Sequence, residues 1–276
     1  MNDLQKCVFH IFKSFDSICE ELGIPYYVLG GTMLGAVRHQ GFIPWDDDLD
    51  VGIIRSDYET FLEKAQSFLP DYYVLQTFHT EPDYPMGIAK IRDSRTTFIE
   101  SQLSHLKINH GVYIDVFPLD YYPEDKRRQR LLSIKWSMYK YRIRLGKNMD
   151  GLHSRIAEFG AQAYGRLLCL KYPKVVDAVA ARDKMIASVP ESGLIANYYG
   201  AWGKKEIVPA SWYGEGTKLK FEGVTVRAPK EYKKWLEHVY GDYMQLPPEE
   251  KRVSHHHLDV IDLDKAYTCY LESSRN

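Results

Sequence analysis

The chain reads YVLGGTMLGAVR at residues 27–38 and IPWDDDLDV at residues 43–51. In the first segment a short apolar run ends at Gly30-Gly31, and Thr32 is placed to cap a short helix that runs to Arg38. In the second, acidic residues lead directly into the apolar run Leu49–Ile54, which predicts a strand. The two segments therefore predict a strand, a glycine turn, a helix and a second strand in close succession.

Four carboxylates, those of Asp46, Asp47, Asp48 and Asp50, lie within five positions of the second segment. Like charges this close raise one another's pKa values, and a divalent cation relieves the conflict. Carboxylate oxygens suit Mg²⁺ or Mn²⁺. Because side chains alternate along a strand, Asp48 and Asp50 share one face while Asp47 points away. We assign Asp48 and Asp50 as metal ligands and Asp46 as a secondary candidate, with a solvated acidic turn as the alternative.

A third carboxylate for such a site is Asp115, a lone charge within the apolar run GVYIDVF at residues 111–117. It shares a strand face with Tyr113 and Phe117, and a buried charge there requires a partner, which a metal ion would supply. A position at an exposed sheet edge is the alternative. The glycines Gly30 and Gly31 would let a phosphate approach the backbone at the start of a helix.

The surrounding pattern predicts an α+β fold, in which a mixed sheet is flanked by helices. Helices are expected at 3–22, closed by Gly23, and at 57–68, with Asp57 as N-cap. Strands are expected at 26–29, 49–54, 72–77, 87–92, 96–100 and 112–117. From residue 123 the pattern is mainly helical to about residue 188, with a strand at 224–227 and a helix between Pro229 and Gly241. We predict a catalytic core over residues 1–122 and a mainly helical substrate- and acceptor-binding region over 123–276.

Composition excludes several classes of protein. With 36 Lys+Arg against 37 Asp+Glu, the formal charge of −1 argues against a nucleic-acid binder. No apolar run approaches the roughly 18 residues of a membrane span, and the N-terminal pattern is not that of a signal peptide. The cysteines, Cys7, Cys19, Cys169 and Cys269, form no CxxC pair and are expected to be reduced thiols. These features predict a cytoplasmic protein.

The segment 126–147 has an unusual charge pattern, with nine Lys or Arg residues, no acidic residue and apolar residues interleaved. A basic helix of this kind is typical of contact with an anionic membrane face or an anionic polymer. A solvated helix is the alternative. A lipid-linked acceptor would favour the membrane contact, since donor and acceptor would then meet at the inner membrane face.

Two further groups of side chains suggest ligands less directly. The histidine run 255–257, with Asp259, is a poor zinc site, because adjacent histidines do not converge and no cysteine is near. We expect a substrate-side role for one histidine or a plain surface cluster. Four aromatic residues are candidates for a cage around a quaternary ammonium, with core packing as the alternative. They are Tyr198, Tyr199, Trp202 and Trp212.

Taken together, these residues resemble the LicD family, whose catalytic core is similar to the nucleotidyltransferase fold. The match spans about residues 23–260 in long, ordered blocks. The blocks are the Gly-Gly-Thr turn at 30–32 with Leu34-Gly35 and Arg38, the acidic block 43–50, KIRD at 90–93, YIDVFPLD at 113–120, YGDYM at 240–244 and LPPEEKR at 246–252.

The resemblance implies a metal-dependent transferase that moves a phospho-alcohol from a CDP-activated donor to a hydroxyl of a cell-surface glycan. Phosphocholine from CDP-choline is the type case, with a teichoic acid or lipopolysaccharide precursor as acceptor, and relatives such as fukutin-related proteins use ribitol phosphate. Two Mg²⁺ or Mn²⁺ ions would be bridged by Asp48 and Asp50. Asp115 would complete one metal shell and help to take the acceptor's proton.

For the substrate side, the resemblance and the charge pattern point to a small set of residues. Arg38 and Lys90 are candidates for the diphosphate, and Lys251 and Arg252 for the phosphate or the acceptor. Gly30, Gly31 and Thr32 form the turn beside them.

Three other functions remain open on the sequence. A glycosyltransferase could use Asp48-x-Asp50 to hold a nucleotide sugar, and a nucleotidyltransferase could act on a small molecule or RNA. A non-catalytic calcium module is the third, although EF-hand spacing is absent from the sequence. The core motif suits attack at either phosphorus of a CDP-alcohol.

Overall fold

The computed structural model describes residues 1–146, 166–254 and 256–273. Its helices are α1 (Asp3–Leu22), α2 (Gly30–His39), α3 (Arg55–Lys64), α4 (Lys126–Gly146), α5 (Val175–Ala187), α6 (Tyr232–Tyr240) and α7 (Thr268–Ser273). Its strands are β1 (Tyr26–Val28), β2 (Asp50–Ile54), β3 (Tyr73–Gln76), β4 (Ala89–Asp93), β5 (Thr97–Glu100), β6 (Val112–Tyr121), β7 (Leu194–Ala196), β8 (Ile207–Pro209), β9 (Thr217–Phe221), β10 (Val224–Ala228) and β11 (Leu258–Asp262).

The first helix, α1, shows how local sequence sets these boundaries. Asn2 accepts a hydrogen bond from the backbone of Gln5, and the Gln5 side chain accepts one from the backbone of Asn2, which closes a capping box. Gly23, with φ of 66°, ends the helix in the left-handed conformation that glycine adopts without steric cost. The apolar face, at spacings of three and four, is buried in the main core. The predicted helix over 3–22 is confirmed.

A mixed sheet with the order β1-β2-β6-β4-β3 forms the centre of the molecule, and β7 and β8 extend it from β6. Its one parallel pair within this order is β2 with β6, and the other neighbours run antiparallel. Helices α1 and α3 pack against it. The predicted α+β class is confirmed, and none of the helices in the described ranges is both long and apolar enough to cross a membrane.

The second half is helical at α4 and α5, as expected, and carries short strands from Leu194 onward. Strand β7 pairs with β6, and β11 pairs with β5, so both join strands of the first half. Strands β9 and β10 form a hairpin that contains the predicted strand at 224–227. The division into domains at residue 122 stays a prediction. Lys147 and His255 lie outside the described residues.

Two predicted helix starts are wrong, for related reasons. Helix α2 begins at Gly30 with Leu29 in the N-cap position, so Thr32 lies in the first turn and does not cap it. Helix α3 begins at Arg55, which places Asp57 in its first turn, and the helix continues as a 3₁₀ turn over Ala65–Phe68. In both cases the preceding strand leads directly into the helix, without a polar side chain at the N-cap.

Arg55 ties three elements together at the start of α3. Its guanidinium contacts both oxygens of Asp120 on β6, at 2.7 and 2.8 Å, and Asp183 on α5 at 3.0 Å. It also donates to Glu59 one turn along the helix, at 2.9 Å. Burial raises the pKa values of Asp120 and Asp183 in spite of the cation beside them. The arginine therefore compensates the buried Asp120 and the half-buried Asp183, and it links the first half of the chain to the second.

We expect Arg55→Met to lower the free energy of unfolding by about 3–5 kcal/mol, because it leaves Asp120 and Asp183 buried without their cation. Urea denaturation at neutral pH measures the loss. The control is Lys6→Met, which removes an exposed ion pair with Asp3 and should cost less than about 1 kcal/mol. Equal losses in the two variants would contradict this account of Arg55.

Candidate active site

A cavity of about 820 Å³ opens between the β1–α2 turn, the acidic segment before β2, strand β6 and loops of the second half. It brings together most of the predicted site residues, namely Gly30, Gly31, Arg38, Asp46, Asp48, Asp50, Asp115 and Lys251. Thr32, Lys90 and Arg252 are not among the residues that line it. The predicted residues therefore converge on one place although they span more than two hundred positions of sequence.

Sheet register brings the carboxylates together. In the parallel pairing of β2 with β6, Asp50 lies opposite Asp115, and the backbone N–H of Asp115 donates to the carbonyl of Leu49 at 3.0 Å. Strand β2 begins only at Asp50. Asp48 therefore reaches the cavity from the loop before the strand, and Asp46 reaches it from the same loop.

Three carboxylates of this cluster have raised pKa values, because burial and the neighbouring charges disfavour their ionised forms. Burial, followed by the charge of Asp48, raises the pKa of Asp46 to about 8. Burial also raises the pKa values of Asp48 and Asp50, and the neighbouring carboxylates add to both shifts. Oxygen donors in such an arrangement match the preference of hard divalent cations. The chemistry of the donor set thus fits Mg²⁺ or Mn²⁺.

The arrangement of these side chains fits a metal ion less well than their chemical type does. Across the described residues, no group of three or more His, Cys, Asp or Glu side chains is arranged so that it could hold a metal ion as it stands. Asp48, Asp50 and Asp115 would be the residues to hold a cation, and metal binding by them stays a proposal.

The glycine turn lets these carboxylates approach the backbone. A Cβ atom at Gly31 would lie 2.7 Å from Oδ2 of Asp46, closer than side chains approach one another. Gly30 has φ of 48°, and a Cβ there would lie 3.4 Å from Oδ2 of Asp50. Thr32 accepts a hydrogen bond from the backbone N–H of Asp50 at 2.8 Å. The turn and Thr32 therefore fix the position of Asp50, and the contact with phosphate stays a prediction.

Lys90 on β4 forms an ion pair with Asp115 on the neighbouring strand β6. The antiparallel register of β4 with β6 sets the two residues opposite each other, and Nζ lies 2.8 Å from Oδ1 of Asp115. The lysine side chain is 3% exposed, and its ammonium lies 3.3 Å from the ring centroid of Tyr113. Lys90 is thus the counter-ion of Asp115, and its predicted contact with a diphosphate is not tested by this arrangement.

The other predicted cations lie on the loop side of the cavity. Arg38, at the end of α2, donates to the carbonyl of Tyr243 at 3.3 Å and so holds the loop after α6. Lys251 lines the cavity. Arg252 donates from Nε to the carbonyl of Pro247 at 2.9 Å and lies 5.7 Å from the ring centroid of Trp45. Arg38 and Lys251 are therefore placed to meet an anionic ligand, whereas Arg252 braces the loop.

The role of His256 was not evident from the sequence. Its Nδ1 lies 2.8 Å from Oδ1 of Asp47, and Ser254 donates to the other oxygen of Asp47 at 2.5 Å. Although burial opposes the charge on the imidazole, the bond to Asp47 raises the pKa of His256 to about 9. Nε2 lies 3.3 Å from the hydroxyl of Tyr113 on β6. The histidine thus supplies a cation for Asp47 and ties the acidic loop to the sheet.

Aromatic side chains and one acidic side chain also line the cavity. Trp202 and Tyr240 meet edge to face with ring centroids 5.0 Å apart, and Tyr199 lies on the same wall. The Tyr240 hydroxyl would lie 3.9 Å from a Cβ at Gly30, so this wall adjoins the carboxylates. Glu206 is 4% exposed, accepts a hydrogen bond from the backbone of Trp202 at 2.8 Å, and has its pKa raised to about 7 by burial.

Of the four aromatics suggested for a cage, Tyr199 and Trp202 line the cavity. Tyr198 packs on Trp136 with centroids 5.6 Å apart, and Trp212 packs on His238 at 5.9 Å, so neither reaches it. Sequence reasoning missed Tyr240 and Glu206. The YGDYM block begins at Tyr240 and could have indicated this residue, whereas a single Glu in the segment GKKE gives no indication of a site.

Residues 23–144 match the family model for the LicD/FKTN/FKRP nucleotidyltransferase domain. This part of the chain is a LicD domain. It contains the glycine turn, the acidic segment, Lys90 and Asp115. The family resemblance inferred from the sequence is confirmed.

Individual relatives extend the similarity beyond the LicD domain. A lipopolysaccharide cholinephosphotransferase, LicD, of Haemophilus influenzae is 28% identical over 270 residues, which cover 93% of this chain and 96% of that protein. An uncharacterised protein of Rickettsia prowazekii is 34% identical over 118 residues, or 42% and 40% of the two chains. The ribitol 5-phosphate transferase FKRP of Homo sapiens is 48% identical over 40 residues, only 14% of this chain and 8% of that one.

We expect Asp50→Asn to melt at a higher temperature than wild type in metal-free buffer, by about 2–4 °C for each kcal/mol of relieved repulsion. The raised pKa of Asp50 means that its ionised form destabilises the fold at neutral pH, and the amide removes this cost. Adding Mg²⁺ or Mn²⁺ should stabilise wild type and leave the variant unchanged. Thermal denaturation with and without metal measures both effects.

The matched control is Asp71→Asn, at an exposed position, which should change neither the metal-free midpoint nor the metal response. A wild-type midpoint that does not respond to either metal would contradict the assignment of Asp48, Asp50 and Asp115 as ligands.

Proposed function

We propose that this protein transfers phosphocholine from CDP-choline to a hydroxyl of a cell-surface glycan, such as a lipopolysaccharide or teichoic acid precursor. The observation that carries the proposal is a single cavity lined both by the carboxylates and by Trp202, Tyr240 and Glu206. The similarity to the lipopolysaccharide cholinephosphotransferase supports it along nearly the whole chain. Because that alignment covers 93% of this chain, it extends through the region of Trp202, Glu206 and Tyr240.

The cavity suits a donor of this size and charge. A volume of about 820 Å³ lies within the range of sites for drug-sized ligands and cofactors. The diphosphate of a CDP-alcohol is anionic, and Arg38 and Lys251 supply two cations at the cavity wall. Bound Mg²⁺ or Mn²⁺ ions, held by Asp48, Asp50 and Asp115, would neutralise the diphosphate oxygens and the charge on the leaving group.

The proposed reaction is an in-line displacement at the phosphorus that carries the alcohol. The acceptor oxygen forms a bond to this phosphorus, the bond to the bridging oxygen breaks, and CMP leaves with the electron pair. We assign the acceptor proton to Asp115, whose carboxylate is held in place by Lys90 at 2.8 Å. The glycine turn and Thr32 hold Asp50 rigidly beside it, which limits the reorganisation that the reaction requires.

The aromatic wall is the argument for choline over other alcohols. A quaternary ammonium cannot donate hydrogen bonds, so it is recognised by ring faces and by a nearby negative charge. Trp202 and Tyr240 supply the rings, and Glu206 supplies a carboxyl that a bound cation would keep ionised. A polyol such as ribitol would leave its hydroxyls against apolar ring surface. Ribitol 5-phosphate transfer is the second candidate, because of the short segment similar to FKRP.

We expect CDP-choline with Mg²⁺ to raise the melting temperature more than CDP-ribitol, CDP-glycerol, UDP-glucose, CTP or ATP do. A thermal-shift screen of the full chain measures this, and Asp48→Asn serves as the variant without donor stabilisation. A larger shift with CDP-ribitol would replace choline by ribitol. A response to UDP-glucose or to triphosphates alone would contradict the transferase proposal in favour of a glycosyltransferase or a nucleotidyltransferase.

We also expect Trp202→Ala to raise KM for CDP-choline about tenfold, from the loss of a cation–π contact worth roughly 1–2 kcal/mol, with little change for CDP-ribitol. Release of CMP measures turnover of each donor. The control is Trp212→Ala, which removes the same side chain outside the cavity. Equal effects of Trp202→Ala on the two donors would contradict the choline assignment.

A further inference from the structure

Helix α4 carries an apolar stripe that is largely exposed. The stripe consists of Leu131, Ile134, Met138, Tyr141 and Leu145, at successive steps of three and four residues. Leu131, Ile134 and Leu145 are 53%, 50% and 44% exposed. Of the three residues that α4 buries, Leu132 and Ile143 lie on the opposite face and Arg142 lies at one edge of the stripe. Among the described residues 1–146, 166–254 and 256–273, core packing therefore does not account for the exposed side chains of the stripe.

Cations flank this stripe on both sides. At about 100° per residue, Arg130 and Arg144 lie along one edge of the stripe, and Arg128 and Lys135 lie along the other. Arg127 lies in line with the stripe at the start of the helix. The sequence of α4 contains no acidic residue. An exposed apolar stripe between two rows of cations is the pattern of a helix that lies in the interface of an anionic membrane.

Contacts at one edge of the stripe and on the opposite face hold α4 in place, so the stripe is presented by a fixed helix. Arg142 donates to the carbonyls of Tyr172 and Pro173 at 2.7 Å, which holds α4 to the segment before α5. Trp136 packs on Tyr199 with ring centroids 5.3 Å apart, and Tyr199 lines the active-site cavity. A surface that meets the stripe would therefore lie close to the cavity wall.

We propose that α4 docks on the surface of a lipid bilayer that contains anionic lipids. The apolar stripe enters the boundary between headgroups and acyl chains, while the flanking cations contact lipid phosphates. A soluble polyanion would use the cations and leave the apolar side chains exposed. A second copy of the chain would bring two rows of like charges together. The bilayer is the one surface that matches both features.

The docking has a consequence that rests on the proposed function. If the acceptor is a lipid-linked glycan, α4 brings the cavity to the surface where that acceptor is found. The docking itself does not depend on the reaction, and vesicle binding tests it separately from turnover.

The experiment is sedimentation of the full chain with vesicles of phosphatidylcholine alone or of phosphatidylcholine with phosphatidylglycerol. We expect binding only to the anionic vesicles, and less of it as salt is raised. Leu131→Ser with Ile134→Ser should lower the partition coefficient about tenfold or more at unchanged net charge, since two buried apolar side chains are lost. Reversal of Arg127, Arg128 and Arg130 to Glu should lower it as well.

The matched control reverses Lys218, Lys220 and Lys233, which are exposed on other elements, and should leave vesicle binding nearly intact. Unaltered binding of the serine variant would overturn the proposal in favour of adsorption by charge alone. Equal binding to neutral vesicles, or none to anionic ones, would overturn it too. A wild-type dimer in light scattering that the serine variant does not form would also overturn the proposal, since a second copy of the chain would then cover the stripe.

The serine variant should hydrolyse CDP-choline in solution at the wild-type rate, because the stripe lies outside the cavity. This readout separates the two proposals. Loss of vesicle binding with normal hydrolysis concerns α4 alone, and vesicle binding without hydrolysis would leave the docking supported while the proposed function fails.

Discussion

The parallel pairing of β2 with β6 is the constraint on which the rest of the site depends. It places Asp50 beside Asp115 in the interior of the protein, where like charges are costly. The neighbouring features each limit that cost or hold the charges in place. Thr32 fixes the backbone of Asp50, Lys90 compensates Asp115, and His256 pairs with Asp47. Asp46, Asp48 and Asp50 nevertheless keep raised pKa values, so the folded chain bears the cost of burying them.

The cavity needs both halves of the chain. The LicD domain supplies the carboxylates and the glycine turn, whereas the aromatic wall and Glu206 come from residues beyond it. The network around Arg55 and the pairing of β7 with β6 hold the two halves together. An anchored geometry of this kind suits phosphoryl transfer, because positioning and charge neutralisation supply most of the rate enhancement. The same packing joins α4 to the cavity through Trp136 and Tyr199.

Much of this could be predicted from the sequence, because several signals are local. The period of α1, the apolar strands and the acidic segment before β2 each depend on neighbouring residues, and the elements they predict are present. Long-range register carries no such signal. That Lys90 faces Asp115 follows from the alignment of β4 with β6, and Tyr240 reaches Gly30 only through the tertiary fold. Thr32 was expected to cap a helix, but the strand leads into that helix at Gly30 and frees the hydroxyl to bind Asp50.

The central claim is that the phosphorus bearing the alcohol is the one attacked. The most direct measurement is hydrolysis of CDP-choline by the purified chain in ¹⁸O-labelled water with Mg²⁺, followed by mass spectrometry of both products. Water then takes the place of the acceptor, and Asp50→Asn provides the blank. The account predicts ¹⁸O in phosphocholine and none in CMP. Label in CMP would show attack at the nucleotide phosphorus and would contradict it.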